Sequence, residues 1–162
     1  MKQIVKSAGI PDKSIIARGF GKVDYCDSYC IVKPTDETAD EITTRIFKVP
    51  RWVAGLMKLR NAIVGIFGLR TNGSEETAAS GYYPVGSKAG YFTVTERNGD
   101  EIVMGEDDRH LYFRASVLID REESFIHLTT IVKFHNVWGR LYFLPVKPFH
   151  RLIVKSLLKQ VR

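Results

Sequence analysis

The chain has 162 residues, 44% of them hydrophobic and 26% charged, with a net charge of +6 and a pI near 9.4. That length suits one domain with a real core, and the balance excludes a disordered chain or a fibrous one. The excess of cations invites an anionic partner, and it is uneven: no acidic residue follows Glu123.

Residues 1–21 are weakly patterned and read as an N-terminal arm on the surface of a single domain spanning 22–162. They lack the apolar core of a secretory leader. Lys22–Lys33 alternates and ends at Pro34, as a first strand would. It puts Tyr25, Asp27, Tyr29 and Ile31 on one side and Cys26, Ser28, Cys30 and Val32 on the other, with the buried side left open. In an extended segment Cys26 and Cys30 stand about 13 Å apart, too far for a disulfide, so both read as free thiols of a reducing compartment.

Thr35 or Asp36 is the expected N-cap of a helix running to about Lys48, with Glu37, Asp40 and Glu41 near its positive end. After Pro50 a second helix carries Trp52, Val53, Leu56, Met57, Ile63, Val64 and Phe67 at helical spacing, with Gly68 as its stop. Lys58, Arg60 and Asn61 interrupt this apolar run, which excludes it as a membrane span. A polar break from Arg70 to Gly81, expected to be mobile, follows. Gly81–Gly90 has three glycines and a lysine but no helix after it, so it reads as a linking loop rather than a phosphate cradle.

The remainder reads as antiparallel strands and one helix. Asn98-Gly99 marks a hairpin of Tyr91–Arg97 with Asp100–Glu106, pairing Val94 with Val103 and Glu96 with Glu101 at a tip in water. Arg109–Ile119 and Ser124–Asn136 alternate, and a loop over Asp120–Glu123 pairs Val117 with Ile126, Ala115 with Leu128, Phe113 with Thr130 and Leu111 with Val132. The other face bears His110, Tyr112, Arg114, Lys133 and His127. From Phe149 a helix places Phe149, Leu152, Ile153, Ser156 and Leu157 on an apolar face. Lys147, Arg151, Lys155, Lys159 and Arg162 fall on a wet, basic arc. A sheet buried on one face needs an apolar partner, and this helix supplies it. The expected fold is α+β: a curved antiparallel sheet wrapped around a long C-terminal helix, with two helices inserted after the first strand.

Trp52–Leu69, Gly105–Phe113, Thr129–Asn136 and Gly139–Lys155 carry a resemblance to the START-like helix-grip (SRPBCC) superfamily. More closely, the chain resembles a bacterial family of uncharacterised domains, found alone or fused behind nucleotide-sugar-epimerase-like domains. The resemblance spans roughly Asp24 to the end. It implies a pocket for an apolar or amphipathic ligand between sheet and helix, with small Ala115, Thr130 and Ser156 leaving room. Phe92, Val94, Leu111, Phe113, Val117, Leu128, Thr130, Val132, Phe149 and Ile153 are the candidate lining. No GxGxxG fingerprint supports a nucleotide cofactor, and no cofactor is expected.

Asp108, Arg109 and His110 form the densest polar cluster. They are candidates for acid–base work in a cyclase-, hydrolase- or isomerase-like enzyme, or else an ordinary solvated turn. His127, His135 and His150 lack the convergent spacing of a metal site and read as structural or solvated. The basic arc offers a further reading, as a surface for an epimerase-like partner or an anionic surface. Nucleic acid is disfavoured, because the aromatics do not interleave with the lysines. The expected reading is a small cytoplasmic ligand-binding protein, with catalysis as the alternative.

Overall fold

The computed structural model describes residues 3–7, 9–48, 51–66, 81–90 and 92–161. Its strands are β1 (Ile4–Lys6), β2 (Tyr25–Val32), β3 (Lys88–Ala89), β4 (Phe92–Arg97), β5 (Glu101–Asp107), β6 (Leu111–Asp120) and β7 (Phe125–Phe134). They form one antiparallel sheet in the order β1-β2-β7-β6-β5-β4-β3. Helices α1 (Ala39–Ile46) and α2 (Arg51–Ile66) come after β2, and α3 (Val137–Lys159) comes after β7. The fold is α+β, with the long C-terminal helix packed on the sheet. Of the expected pair, α1 is the helix packed on the sheet, against β5 and β6. The insertion follows the second strand, not the first, because the arm itself contributes β1, paired to β2 from Ile4↔Ile31 to Lys6↔Tyr29. The expected Gly68 stop, Phe67, the polar break as far as Ser80, Tyr91 and Arg162 lie outside the described residues. So do the side chains of Val53, Leu56, Met57, Ile63 and Val64.

The start of α1 differs from expectation. Its N-cap is Thr38, whose hydroxyl accepts from the Glu41 amide while Glu41 reaches back to the Thr38 amide, closing a capping box. Thr35 instead accepts from the Glu37 amide, and Glu37 pairs with Lys33 and Arg45. These contacts keep the preceding residues outside the helix. Asp40 then fixes the helix to the sheet: both its oxygens accept from Arg97 at 2.8 Å, and Oδ1 also accepts from the Tyr83 amide. The short β3 turns what reads as a plain loop over Gly81–Gly90 into an edge strand beside β4.

Both hairpin registers depart from the expected ones. A bulge between Val94 and Glu96 pairs Val94 with Met104 and Glu96 with Val103, so the two carboxylates never face each other. Glu101 is fully buried: its oxygens accept from the Ser14 hydroxyl (2.5 Å) and the Ile15 amide (2.8 Å). In the second hairpin the loop closes one residue later, over 121–124. Asp120 Oδ1 accepts from the Glu122 and Glu123 amides, and Ser124 takes a positive φ of 57°. Val117 therefore meets Leu128, Ala115 meets Thr130, Phe113 meets Val132 and Leu111 meets Phe134. A slip of two keeps every side chain on its expected face.

Both faces of the sheet are covered. The larger core joins Tyr29, Ile31, Met104, Val117, Ile126 and Leu128 to Ile42 and Ile46 of α1 and to Val154, Leu157 and Leu158 of α3. Behind the sheet, Ile15, Ile16 and Phe20 pack on Val103 and Ile131. The polar residues of this rear face seat the arm. Arg114 donates to the carbonyls of Ile16 and Arg18, and Lys133 to that of Phe20.

Helix α3 starts twelve residues before the expected point. Asn136 is its N-cap, accepting from the Gly139 amide at 3.1 Å, and Pro145 and Pro148 lie inside it. Gly139 permits a close start, since a Cβ there would stand 2.2 Å from the His110 carbonyl oxygen. With this start the inward face holds Gly139, Phe143, Val154, Leu157 and Leu158, about a third of a turn from the expected face. Leu152 and half of Phe149 point outward, and with Val137, Trp138, Leu141 and Leu144 they form an exposed apolar stripe. The expected basic arc is partly engaged too, for Lys147 stacks over Tyr25 and Lys155 over Tyr29.

Candidate functional site

Between the sheet and α3 lies a hollow of about 320 Å³. The sheet wall is built from alternate residues of neighbouring strands: Phe92 of β4, Leu111, Phe113 and Ala115 of β6, and Leu128, Thr130 and Val132 of β7. The helix wall runs from Tyr142, Phe143, Pro145 and Val146 through Phe149 and His150 to Ile153, Val154 and Leu157. Phe47 after α1 and Leu59 of α2 complete the lining. Edge-on aromatic pairs, Phe92 with Phe113 at 5.0 Å and Tyr25 with Phe143 at 4.7 Å, stiffen the walls.

Eight of the candidate residues (Phe92, Leu111, Phe113, Leu128, Thr130, Val132, Phe149, Ile153) stand on this lining. Val94 and Val117 do not; both are buried in the core beyond it. Of the small residues, Ala115 and Thr130 border the hollow, and Ser156 does not. Leu152 points away from the hollow, while Val146 and His150 join its lining.

Asp108, Arg109 and His110 sit on the turn between β5 and β6, away from the hollow. Asp108 Oδ1 accepts from the Arg109 amide (2.6 Å), and the His110 ring meets the Asn136 side chain that caps α3. These polar groups serve the turn and the helix start. His135 pairs with Asp107 at 2.7 Å. His127 is buried beside the Phe125 ring, and burial pushes its pKa down, keeping the ring neutral near pH 7. Among the described residues no group of three or more His, Cys, Asp or Glu could hold a metal ion. Burial likewise raises the thiols of Cys26 and Cys30, which are free and lie on one strand.

One polar constellation was not legible beforehand. Asp27, the third residue of β2, is buried on the α3 side of the sheet, paired across the ladder with Thr130. The Tyr25 hydroxyl donates to its Oδ2 at 2.7 Å. His150 Nε2 stands 3.1 Å from the same oxygen, within ion-pair range but off the line of a hydrogen bond. Burial and the Asp27 contact push the Tyr25 hydroxyl up to about 12, although Arg151, which donates to it, pulls the other way. Sequence did hold one signal, an aspartate between two tyrosines in the middle of an apolar strand, where aspartate is depleted. Nothing in the sequence pairs it with a histidine 123 positions later.

The chain belongs to the family described as "Protein of unknown function (DUF2867)", whose model matches residues 20–157. Neither a curated protein nor a solved structure matches it. Among the described residues no helix is long and apolar enough to cross a membrane.

Proposed function

We propose that this family member binds an apolar or amphipathic small molecule in the hollow, held between sheet and α3 as in a helix grip. The observation that carries this is the lining: fifteen of its eighteen residues are apolar, the exceptions being Thr130, Tyr142 and His150. Its volume, about 320 Å³, falls at the lower end of the small-molecule range. An apolar wall of this extent is unfavourable in contact with water, and a guest that covers it gains about 0.8 kcal/mol per buried methylene. The two free thiols fit a reducing compartment such as the cytoplasm. Asp108, Arg109 and His110, engaged at the β5–β6 turn and not part of the lining, lend no support to catalysis in the hollow.

A homologous series of alkylbenzenes tests the proposal by calorimetry or displacement of a fluorescent probe. Affinity should rise about fourfold per added methylene and level off once the space is full. Ala115→Trp should plug the hollow and abolish uptake while the protein stays folded. Affinity that ignores chain length, or survives the plug, would refute this function.

A further inference from the structure

Resting on the hollow as a binding site, we propose that its guest carries a hydroxyl, as an alcohol or phenol does, docked at the Asp27–His150 corner. Among the described residues six buried side-chain atoms have no hydrogen-bond partner; two of them, Asp27 Oδ1 and His150 Nε2, belong to side chains that approach to 3.1 Å, and a third, Arg151 Nε, belongs to the arginine that reaches the Tyr25 hydroxyl bound to Asp27. Buried polar atoms in native proteins are nearly always paired, so this concentration beside a hollow points to a missing polar group. His150 lines the hollow, and so does Thr130, the ladder partner of Asp27.

The chemistry of the unpaired atoms selects the group. Asp27 Oδ1 only accepts, while Arg151 Nε only donates and His150 can do either. A carboxylate head accepts from His150 and Arg151 but leaves Asp27 Oδ1 unpaired and sets a second negative charge beside it. An ammonium head pairs with Asp27 but meets Arg151, with Lys147 and Lys155 stacked on the neighbouring tyrosines. A hydroxyl donates to Asp27 and accepts from the nitrogen side at once, without adding charge to a buried place. The Tyr25 hydroxyl already satisfies Asp27 Oδ2 in this manner, at 2.7 Å.

The test compares propylbenzene, 4-propylphenol and 4-propylbenzoate, one tail with three heads, by calorimetry on the full chain. The phenol should bind at least about tenfold tighter than the hydrocarbon, as a hydrogen bond to a charged group implies, and tighter than the benzoate. His150→Leu and the isosteric Asp27→Asn should each shrink that preference several-fold, read as the ratio of phenol to propylbenzene affinity in the same variant. Equal affinity for phenol and hydrocarbon, as when water already fills the corner, would overturn the hydroxyl site while the hollow stands. So would tightest binding of the benzoate. If none of the three binds, the hollow itself is not a binding site.

Discussion

Replacing Arg97 by methionine would show how far one buried ion pair holds α1, and with it Phe47, against the sheet. Arg97 grips Asp40 with two nitrogens at 2.8 Å each and donates to the Tyr83 carbonyl at 2.7 Å, and both charged side chains are largely shielded from water. In Arg97→Met the Asp40 carboxylate keeps backbone amides but no cation, and stranding one partner of a buried pair costs about 3–5 kcal/mol. At roughly 2–4 °C per kcal/mol for a chain of this size, the melting temperature should fall by about 6–20 °C. Arg97 holds the Asp40 carboxyl below the ordinary carboxylate range, so folding favours its ionised form. The pair's contribution is complete above about pH 4, the ordinary value, and is lost as pH falls through the lowered folded value. Arg97→Met should lack that acid-side loss, and adding Asp40→Asn should restore much of the stability by removing the stranded charge. Urea titrations from pH 3 to pH 7 measure all three. A cost below about 1 kcal/mol for Arg97→Met at pH 7 would refute the reasoning.

Gly139→Ala should cost about 1–3 kcal/mol in a denaturant titration, because its methyl meets the His110 backbone at 2.2 Å and the start of α3 must lift. Wild-type stability in that variant would mean that the helix start is not tightly seated. Glu101→Ala removes the acceptor of Ser14 and Ile15 and should cost about 2–3 kcal/mol, with limited proteolysis cutting first in the arm. An arm as protected as in the parent protein would contradict its anchoring by Glu101.

Period-two alternation made the faces of β6 and β7 legible, since a strand with Leu111, Phe113, Ala115 and Val117 on one side has only one sensible way to face a core. It could not supply the register, because a slip of two leaves the pattern intact and the deciding feature was a positive φ at Ser124. The rotation of α3 was hidden for a related reason. Pro145 and Pro148 look like stops, yet a helix capped at Asn136 runs through both, and Gly139 then sets which side faces in. Eight of the eighteen lining residues could be named from the strand pattern and the fold resemblance. Asp27 and His150 could not, since only the pairing of β2 with β7 brings that aspartate beneath the last helix.

The outer stripe of α3 has a practical consequence for any screen. Val137, Trp138, Leu141, Leu144 and Leu152 offer greasy dyes a second place to adhere, on the exposed side of the helix and outside the lining of the hollow. Signal from a hydrophobic reporter will thus sum two populations, one saturable at a single equivalent and one that creeps upward with concentration. Only the portion erased in the Ala115→Trp protein counts toward the interior, and titrations that omit this subtraction will overstate both stoichiometry and promiscuity.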